Sequence, residues 1–405
     1  MKRRAISPDG KHTGGITGMN TGKRCLHGFI KYFCIISQKE RLHGLDHLRA
    51  AAIVLVLLFH YNYYYGVPGW LDSISRFGWS GVDLFFVLSG YLIADKLFRE
   101  FDSRGKIGLK GFYWNRFLRI IPAYLTVVGL YFSFPDLQEG RGLQPLWKFL
   151  TFTQNIFIDL YRNTFSHAWS LCVEEHFYLM LPILLYFIFS KKIAHRAAYF
   201  FAAVAVLGIV IRLYFWEASV APANGQARIM AAIKEIYYPT YTRLDGLLVG
   251  VAIAAVFRYK PSFKASLEKY ANEILASSVV LLIITYFLFG GTLVSFRFTS
   301  LTMSVFGFPL VSLAYGLLVI AAMSPKCLLS RYKFWPTATL ATLSYSIYLS
   351  HKIINHVVNT RLKHVLGLES YQVFPLCLIC SILCGLALYL IVEKPFLILR
   401  DKVKI

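Results

Sequence analysis

Charge is scarce in this chain of 405 residues. Only 16% of them are Asp, Glu, Lys or Arg, where an average soluble domain carries about a quarter. Acidic residues are the scarcer half, 21 against 43 Lys+Arg, which gives a formal net charge of +22. Cysteine is also sparse, with seven residues in no regular framework, so a disulfide-stapled secreted module is excluded. There is no P-loop, and a nucleotide-driven pump therefore lacks its phosphate cradle. No GxSxG elbow, HExxH helix or His-x4-Asp pair occurs, which removes the familiar soluble hydrolase and acyl-transfer signatures. Residues 1–40 are basic and Gly-rich and hold no long apolar run leading to a small-residue cleavage site, so they do not read as a signal peptide. They read as a cytoplasmic tail preceding a single domain, 41–405, or as the product of a start codon set too far upstream of Met19.

What the chain has instead is apolar surface. Hydrophobic residues make up 57% and aromatics 16%. Runs of about 20 apolar residues are long enough to cross a bilayer. Ten such runs occur, at roughly 48–66, 78–97, 117–135, 168–189, 198–216, 242–257, 274–290, 301–323, 337–358 and 372–393. The expected fold is all-α: a polytopic transmembrane helical bundle of about ten spans. An even number of spans leaves both termini on one side. The segments on that side carry 29 Lys+Arg and those on the other side 9, with the remaining five inside or at the ends of spans. Because cytoplasmic loops concentrate Lys and Arg, both termini are expected in the cytoplasm. The positive charge then records topology, and a nucleic-acid partner is not expected.

Ionisable side chains inside the runs are costly in lipid, and each is a candidate for function. Arg49 and His60 are eleven positions apart, so they share one helix face about 16 Å apart along the axis. His60 lies about 9 Å from the outer end of its run. Asp83, Glu174, Glu175 and His351 fall at similar depth. An imidazole among carboxylates has the parts of a general base with an orienting partner, and also those of a buried structural ion-pair network. Arg116 and Arg119 begin the third run from the cytoplasmic side, where guanidinium forks suit phosphates or serve as plain interfacial anchors. Arg243 and Asp245 open the sixth run, and Gly246 with Gly250 forms a GxxxG pair suited to helix packing. Cys377, Cys380 and Cys384 share a face of the last run. A CxxC there could ligate a metal, but small-residue packing is the expected role, and no metal site is expected.

These motifs, taken in order, resemble the acyltransferase-3 family of integral membrane acyltransferases. Gly44-Leu45-Asp46-His47-Leu48-Arg49, followed after ten residues by His60, is similar to the family's Arg-x10-His signature. Gly78-Trp79-Ser80-Gly81-Val82-Asp83-Leu84-Phe85-Phe86 resembles its second-helix motif, and Arg116 with Arg119 its Arg-x-x-Arg. Trp169-Ser170-Leu171-Cys172-Val173-Glu174-Glu175, Arg243-Leu244-Asp245-Gly246, Ser344 to His351, and Glu393-Lys394-Pro395-Phe396 complete the series. His47 stands where the family usually has Gly, and Cys172 where it usually has Ser. The chain runs twelve residues past its last span, so it resembles the stand-alone form, and a second transfer domain would be a separate extracytoplasmic polypeptide.

The resemblance implies transfer of an acyl group, acetyl first, from cytoplasmic acyl-CoA as co-substrate, with no bound cofactor. The acceptor is a hydroxyl of a surface polysaccharide or glycolipid, lipopolysaccharide included, and the setting is the bacterial cytoplasmic (inner) membrane. It assigns His60 as the group that deprotonates the acceptor hydroxyl or briefly carries the acyl group, with Asp83 or Glu175 holding its tautomer and Glu174 also in the catalytic set. Arg49, Arg116 and Arg119 serve the donor, and Arg243, Asp245, His351 and Trp169 the acceptor side. Trp147, Tyr161, Trp216, Tyr237 and Tyr238 could stack on sugar rings or anchor at the interface. The rival reading is a membrane carrier that exports a glycan, lipid or organic acid without chemistry, which would be expected to show an internal repeat.

Overall fold

A chain this apolar must satisfy its backbone hydrogen bonds internally, and the helix does so within one segment. The computed structural model describes residues 42–140, 142–156, 158–191, 193–288 and 300–403, and the segment 1–40 lies outside them. No strand occurs among the described residues. Ten helices have fifteen residues or more: α1 His43–Tyr65, α2 Gly81–Arg104, α3 Leu109–Ser133, α4 Trp169–Ser190 and α5 Ala194–Phe215 come first. Then follow α6 Asp245–Tyr259, α7 Ala271–Leu288, α8 Leu301–Met323, α9 Trp335–Val357 and α10 Ser370–Leu388. Each of the ten apolar runs therefore falls mostly on one of these helices, as far as the described residues extend.

Not all ten meet a spanning standard. Seven helical stretches among the described residues are long and apolar enough to cross a membrane, and the count rises to eight if α6 and Pro261–Lys269, bent by 108°, form one span. α6 alone has only fifteen residues. α3 and α9 are diluted by polar side chains: α3 carries Asn115, Arg116 and Arg119, and α9 carries a Ser/Thr series with His351 and Lys352. The same residues that lower the hydropathy of these two helices line the site described below.

Two sorts of packing position the bundle. α5 and α7 leave Val206, Leu207, Val210, Ile283, Ile284 and Phe287 exposed. Apolar surface on that scale is unsuited to water and suited to lipid. α2 and α6, in contrast, pack backbone to backbone. A Cβ on Gly90 would strike the Leu247 carbonyl, and one on Gly250 would strike Val87 O and the Tyr91 amide. The GxxxG pair is thus a close-approach surface, as small residues are in membrane helices generally. Cys377 fills a second apolar cluster with Leu58, Tyr61, Val358, Val373 and Phe374. Among the described residues no group of His, Cys, Asp and Glu side chains could hold a metal ion.

Candidate active site

At one end of the bundle α1 begins, α2 ends, and α3 and α9 begin. A cavity of about 300 Å³ opens there between these helices and α4. Arg49, Lys96, Arg116, Arg119 and Arg400 line it. Five cations with one carboxylate, Glu174, make the lining strongly positive. α3 contributes Arg116 and Arg119 three positions apart, so one helical face presents both. The Arg116 guanidinium lies 3.6 Å from the centre of the Tyr178 ring. Tyr178 donates its hydroxyl to Glu174 Oε2 at 2.9 Å, and Ser89 donates to Oε1 at 3.1 Å. Glu174 therefore belongs to the cationic cavity. Glu175 lines a neighbouring cleft of about 470 Å³ between α3 and α4, which shares Arg116 and Tyr178 with the first.

The cavity wall that faces the imidazoles holds Ser170 and Tyr348. Their hydroxyls lie 2.5 Å apart, and Tyr348 also donates to the main-chain oxygen of His167 at 2.7 Å. Immediately behind this wall three imidazoles meet. The His167 ring is 5.3 Å from Tyr348 and 4.9 Å from His351, and His60 is 4.9 Å from His351 and 5.8 Å from His167.

The hydrogen bonds of this cluster set its tautomers. His351 Nδ1 faces the Tyr348 carbonyl at 2.8 Å, and His60 Nδ1 faces the Val56 carbonyl at 3.1 Å. Carbonyl oxygens only accept, so in the neutral rings both Nδ1 atoms carry the proton. His351 Nε2, 3.1 Å from His60 Nδ1, then holds a lone pair and accepts from it. His60 Nε2 is left as an unprotonated nitrogen, the form a general base requires. His167, 1% exposed, has no hydrogen-bond partner at either ring nitrogen.

Lys352, next in sequence to His351, pairs with Glu139 at 2.9 Å and donates to Ser166 at 3.2 Å. Glu139 also accepts from the Phe165 amide at 3.0 Å. A buried ammonium needs such a partner, and the pair ties the 136–167 loop to α9 beside the imidazoles.

The remaining candidates lie elsewhere. Asp83 accepts from Arg243 Nη2 at 2.7 Å, with both side chains at most 2% exposed. The Arg243 guanidinium sits among Trp169, Tyr237 and Phe308 at 5.1, 4.8 and 3.9 Å from their ring centres. Asp245 binds Arg212 through two bonds of 2.7 and 3.1 Å, and Arg212 further donates to Val305 O and Thr242 O. These pairs join the start of α6 to α2 and α5. No hydrogen bond among the described residues links His60 to Asp83, Glu174 or Glu175. The expected carboxylate partner is replaced by His351, because α9 packs on α1 and carries His351 to His60. Of the aromatics considered for sugar stacking, Trp216 and Tyr237 are buried, whereas Trp147 and Tyr161 are exposed.

Sequence reading did not single out His167, Glu139, Lys96 or Arg400. His167 and Glu139 sit in a loop outside the apolar runs, where no cost of lipid burial marks them. Lys96 and Arg400 looked like ordinary members of the positive side. Ser170 and Tyr348 stood inside motifs already quoted, but hydroxyls give no signal of depth.

Known proteins bear on the same residues. The family profile described as an acyltransferase domain matches residues 42–391. A Staphylococcus aureus (strain COL) protein carrying a provisional O-acetyltransferase name is 26% identical over 392 residues, covering 91% of this chain and 59% of its own. The O-acetyltransferase OatA of Staphylococcus aureus (strain NCTC 8325 / PS 47) is 27% identical over 375 residues, covering 87% of this chain and 57% of its own. The chain thus spans less than three-fifths of the length of the relatives it matches. No solved structure matches it. With 350 consecutive residues matched, and the cationic cavity and imidazole cluster both built from them apart from Arg400, the chain belongs to the acyltransferase-3 family of integral membrane acyltransferases.

Proposed function

We propose that this protein transfers an acyl group, acetyl first, from acyl-CoA on the cytoplasmic side to a hydroxyl of a polysaccharide or glycolipid outside the cytoplasmic membrane. The observation that carries the reading is the cavity itself. It has five cations at the lining and ends one side chain short of three imidazoles. Anionic phosphates suit the Arg49, Arg116 and Arg119 guanidinia. The pantetheine arm would follow the cavity inward, its thioester ending at Ser170 and Tyr348. The axial distance from Arg49 to His60, about 16 Å, is of the order that arm must cover.

In the proposed reaction His60 Nε2 takes the proton of the acceptor hydroxyl. The oxygen bonds to the thioester carbon, the carbon–sulfur bond breaks, and the thiolate leaves with the proton that His60 held. His351 keeps the ring in the required tautomer. A topology of ten spans with both termini cytoplasmic agrees with the 29 to 9 distribution of Lys+Arg. It requires α3, α6 and α9 to cross despite their polar content, which is reasonable for helices whose polar faces line a site.

The test is mass analysis of the surface glycan in cells with and without the protein, alongside transfer from labelled acetyl-CoA in proteoliposomes. His60→Ala should abolish labelling while the protein stays in the membrane. Full labelling by that variant would overturn the mechanism. Arg116→Ala with Arg119→Ala should weaken coenzyme A binding, and unchanged affinity would remove their assigned role.

A further inference from the structure

Two hydroxyls stand where a thioester carbonyl would arrive. Ser170 and Tyr348 line the cationic cavity on the side of the imidazoles, with Leu171 and Tyr345 beside them. Both are buried, at 5% and 6% exposure. Tyr348 has one proton, and its 2.7 Å bond to the His167 carbonyl uses it. In the 2.5 Å contact the proton is therefore supplied by Ser170. Ser170 is also 3.3 Å from the same carbonyl. The two hydroxyls form a relay, Ser170 to Tyr348 to the His167 carbonyl, at the boundary between the cavity and the imidazoles.

The two hydroxyls are flanked in the cavity by Phe86 and Leu171. The wall they form is also thin. The Tyr348 ring touches both His167 and His351.

We propose that Ser170 and Tyr348 are catalytic residues that together bind the thioester carbonyl oxygen and stabilise the oxyanion formed during transfer. The inference rests on the acyl-CoA reading above. On arrival of the donor, the Ser170–Tyr348 bond and the Tyr348–His167 bond are exchanged for two bonds to the carbonyl oxygen. The exchange opens the wall toward His60. The acceptor oxygen then bonds to the carbonyl carbon, its proton passes to His60 Nε2, and the carbonyl electron pair moves onto the oxygen between the two hydroxyls. Collapse restores the carbonyl, breaks the carbon–sulfur bond and releases the thiolate, which takes the proton from His60. Donors aimed at the developing charge in a dry site act mainly on the transition state.

The experiment measures kcat and KM for acetyl-CoA, and the affinity for coenzyme A itself, with wild type, Tyr348→Phe, Ser170→Ala and the double variant in proteoliposomes. Coenzyme A has no acyl carbonyl, so its affinity reports the cavity without the proposed contact. Each single variant should lower kcat by about 10²–10³-fold, the usual effect of removing one oxyanion donor, with coenzyme A affinity unchanged. Tyr348→Phe keeps the ring and Ser170→Ala only shortens a side chain, so both preserve the packing. If coenzyme A still binds and both variants turn over like wild type, the hydroxyls have no such role. A loss of coenzyme A affinity equal to the loss of kcat would make them structural and overturn the proposal equally. A wild-type protein that binds coenzyme A but transfers no acetyl group overturns the underlying reading instead.

Discussion

Replacing both members of the Asp83–Arg243 pair with apolar residues should restore most of the stability that either replacement alone removes. The pair is fully enclosed, at 2% and 1% exposure, and joined by one bond of 2.7 Å. Asp83 Oδ2 and Arg243 Nε and Nη1 have no further hydrogen-bond partner. Removing one partner from a buried ion pair costs about 3–5 kcal/mol, because the other charge is left uncompensated. Arg243→Met strands the Asp83 carboxylate in a site only 2% exposed. Asp83→Leu strands the guanidinium, which keeps about 1–2 kcal/mol of cation–π attraction to the rings of Trp169, Tyr237 and Phe308, so its cost should fall at the lower end of the range. The double variant removes both charges and fills the space with methylenes, a change that is commonly neutral or stabilising. The coupling measured in a double-mutant cycle should therefore exceed about 3 kcal/mol, far above the few tenths expected of independent sites. The assay is reversible unfolding of detergent-solubilised protein in increasing SDS, followed by acetyl transfer on each folded variant. Strict additivity would refute the argument that the pair acts as a unit. A stable double variant with no transfer would return Asp83 to a direct role in the chemistry.

His351→Leu removes one of the two acceptors facing His60 Nδ1, leaving the Val56 carbonyl, and kcat should fall about 10-fold or more with the KM for acetyl-CoA unchanged. His351→Gln, which can present an oxygen at the same place, should recover part of that loss, and equal activity in both variants would dismiss the positioning role. Gly250→Leu forces a side chain into Val87 O and the Tyr91 amide. It should destabilise the fold by more than about 3 kcal/mol, whereas Gly250→Ala should cost less; indistinguishable unfolding curves for the two would show that α2 and α6 do not approach as described. Glu139→Gln leaves the Lys352 ammonium without its anion, and a loss of about 3 kcal/mol or more is expected, read by the same SDS titration.

The all-helical architecture was readable in the sequence because burial of a helix in lipid demands about 20 apolar residues in a row, a local property. The sidedness of Lys and Arg is equally local. Arg49, Arg116, Arg119 and His60 were marked by their own anomaly, a charge or an imidazole inside or at the start of an apolar run, whereas Lys96, Arg400, Ser170 and Tyr348 were not. Partnership was not readable in this way. Depth along a helix follows from counting residues, and it set Asp83, Glu174 and Glu175 level with His60. The direction a side chain faces around the helix axis depends on which helices pack together, and that turned Asp83 to Arg243, 160 positions away, and His60 to His351, 291 positions away.

The sequence by itself determined that this is a helical membrane protein, which of its residues are too polar for lipid, and which family its motifs resemble. Only the tertiary structure decided that the basic residues of three helices and Arg400 share one cavity, that one of its walls holds a pair of hydroxyls, and that His60 meets a second imidazole instead of a carboxylate. The reason is physical. Hydropathy acts on each segment alone, whereas a site is made by the close approach of backbones such as those at Gly90 and Gly250, which fixes what each neighbouring side chain can reach.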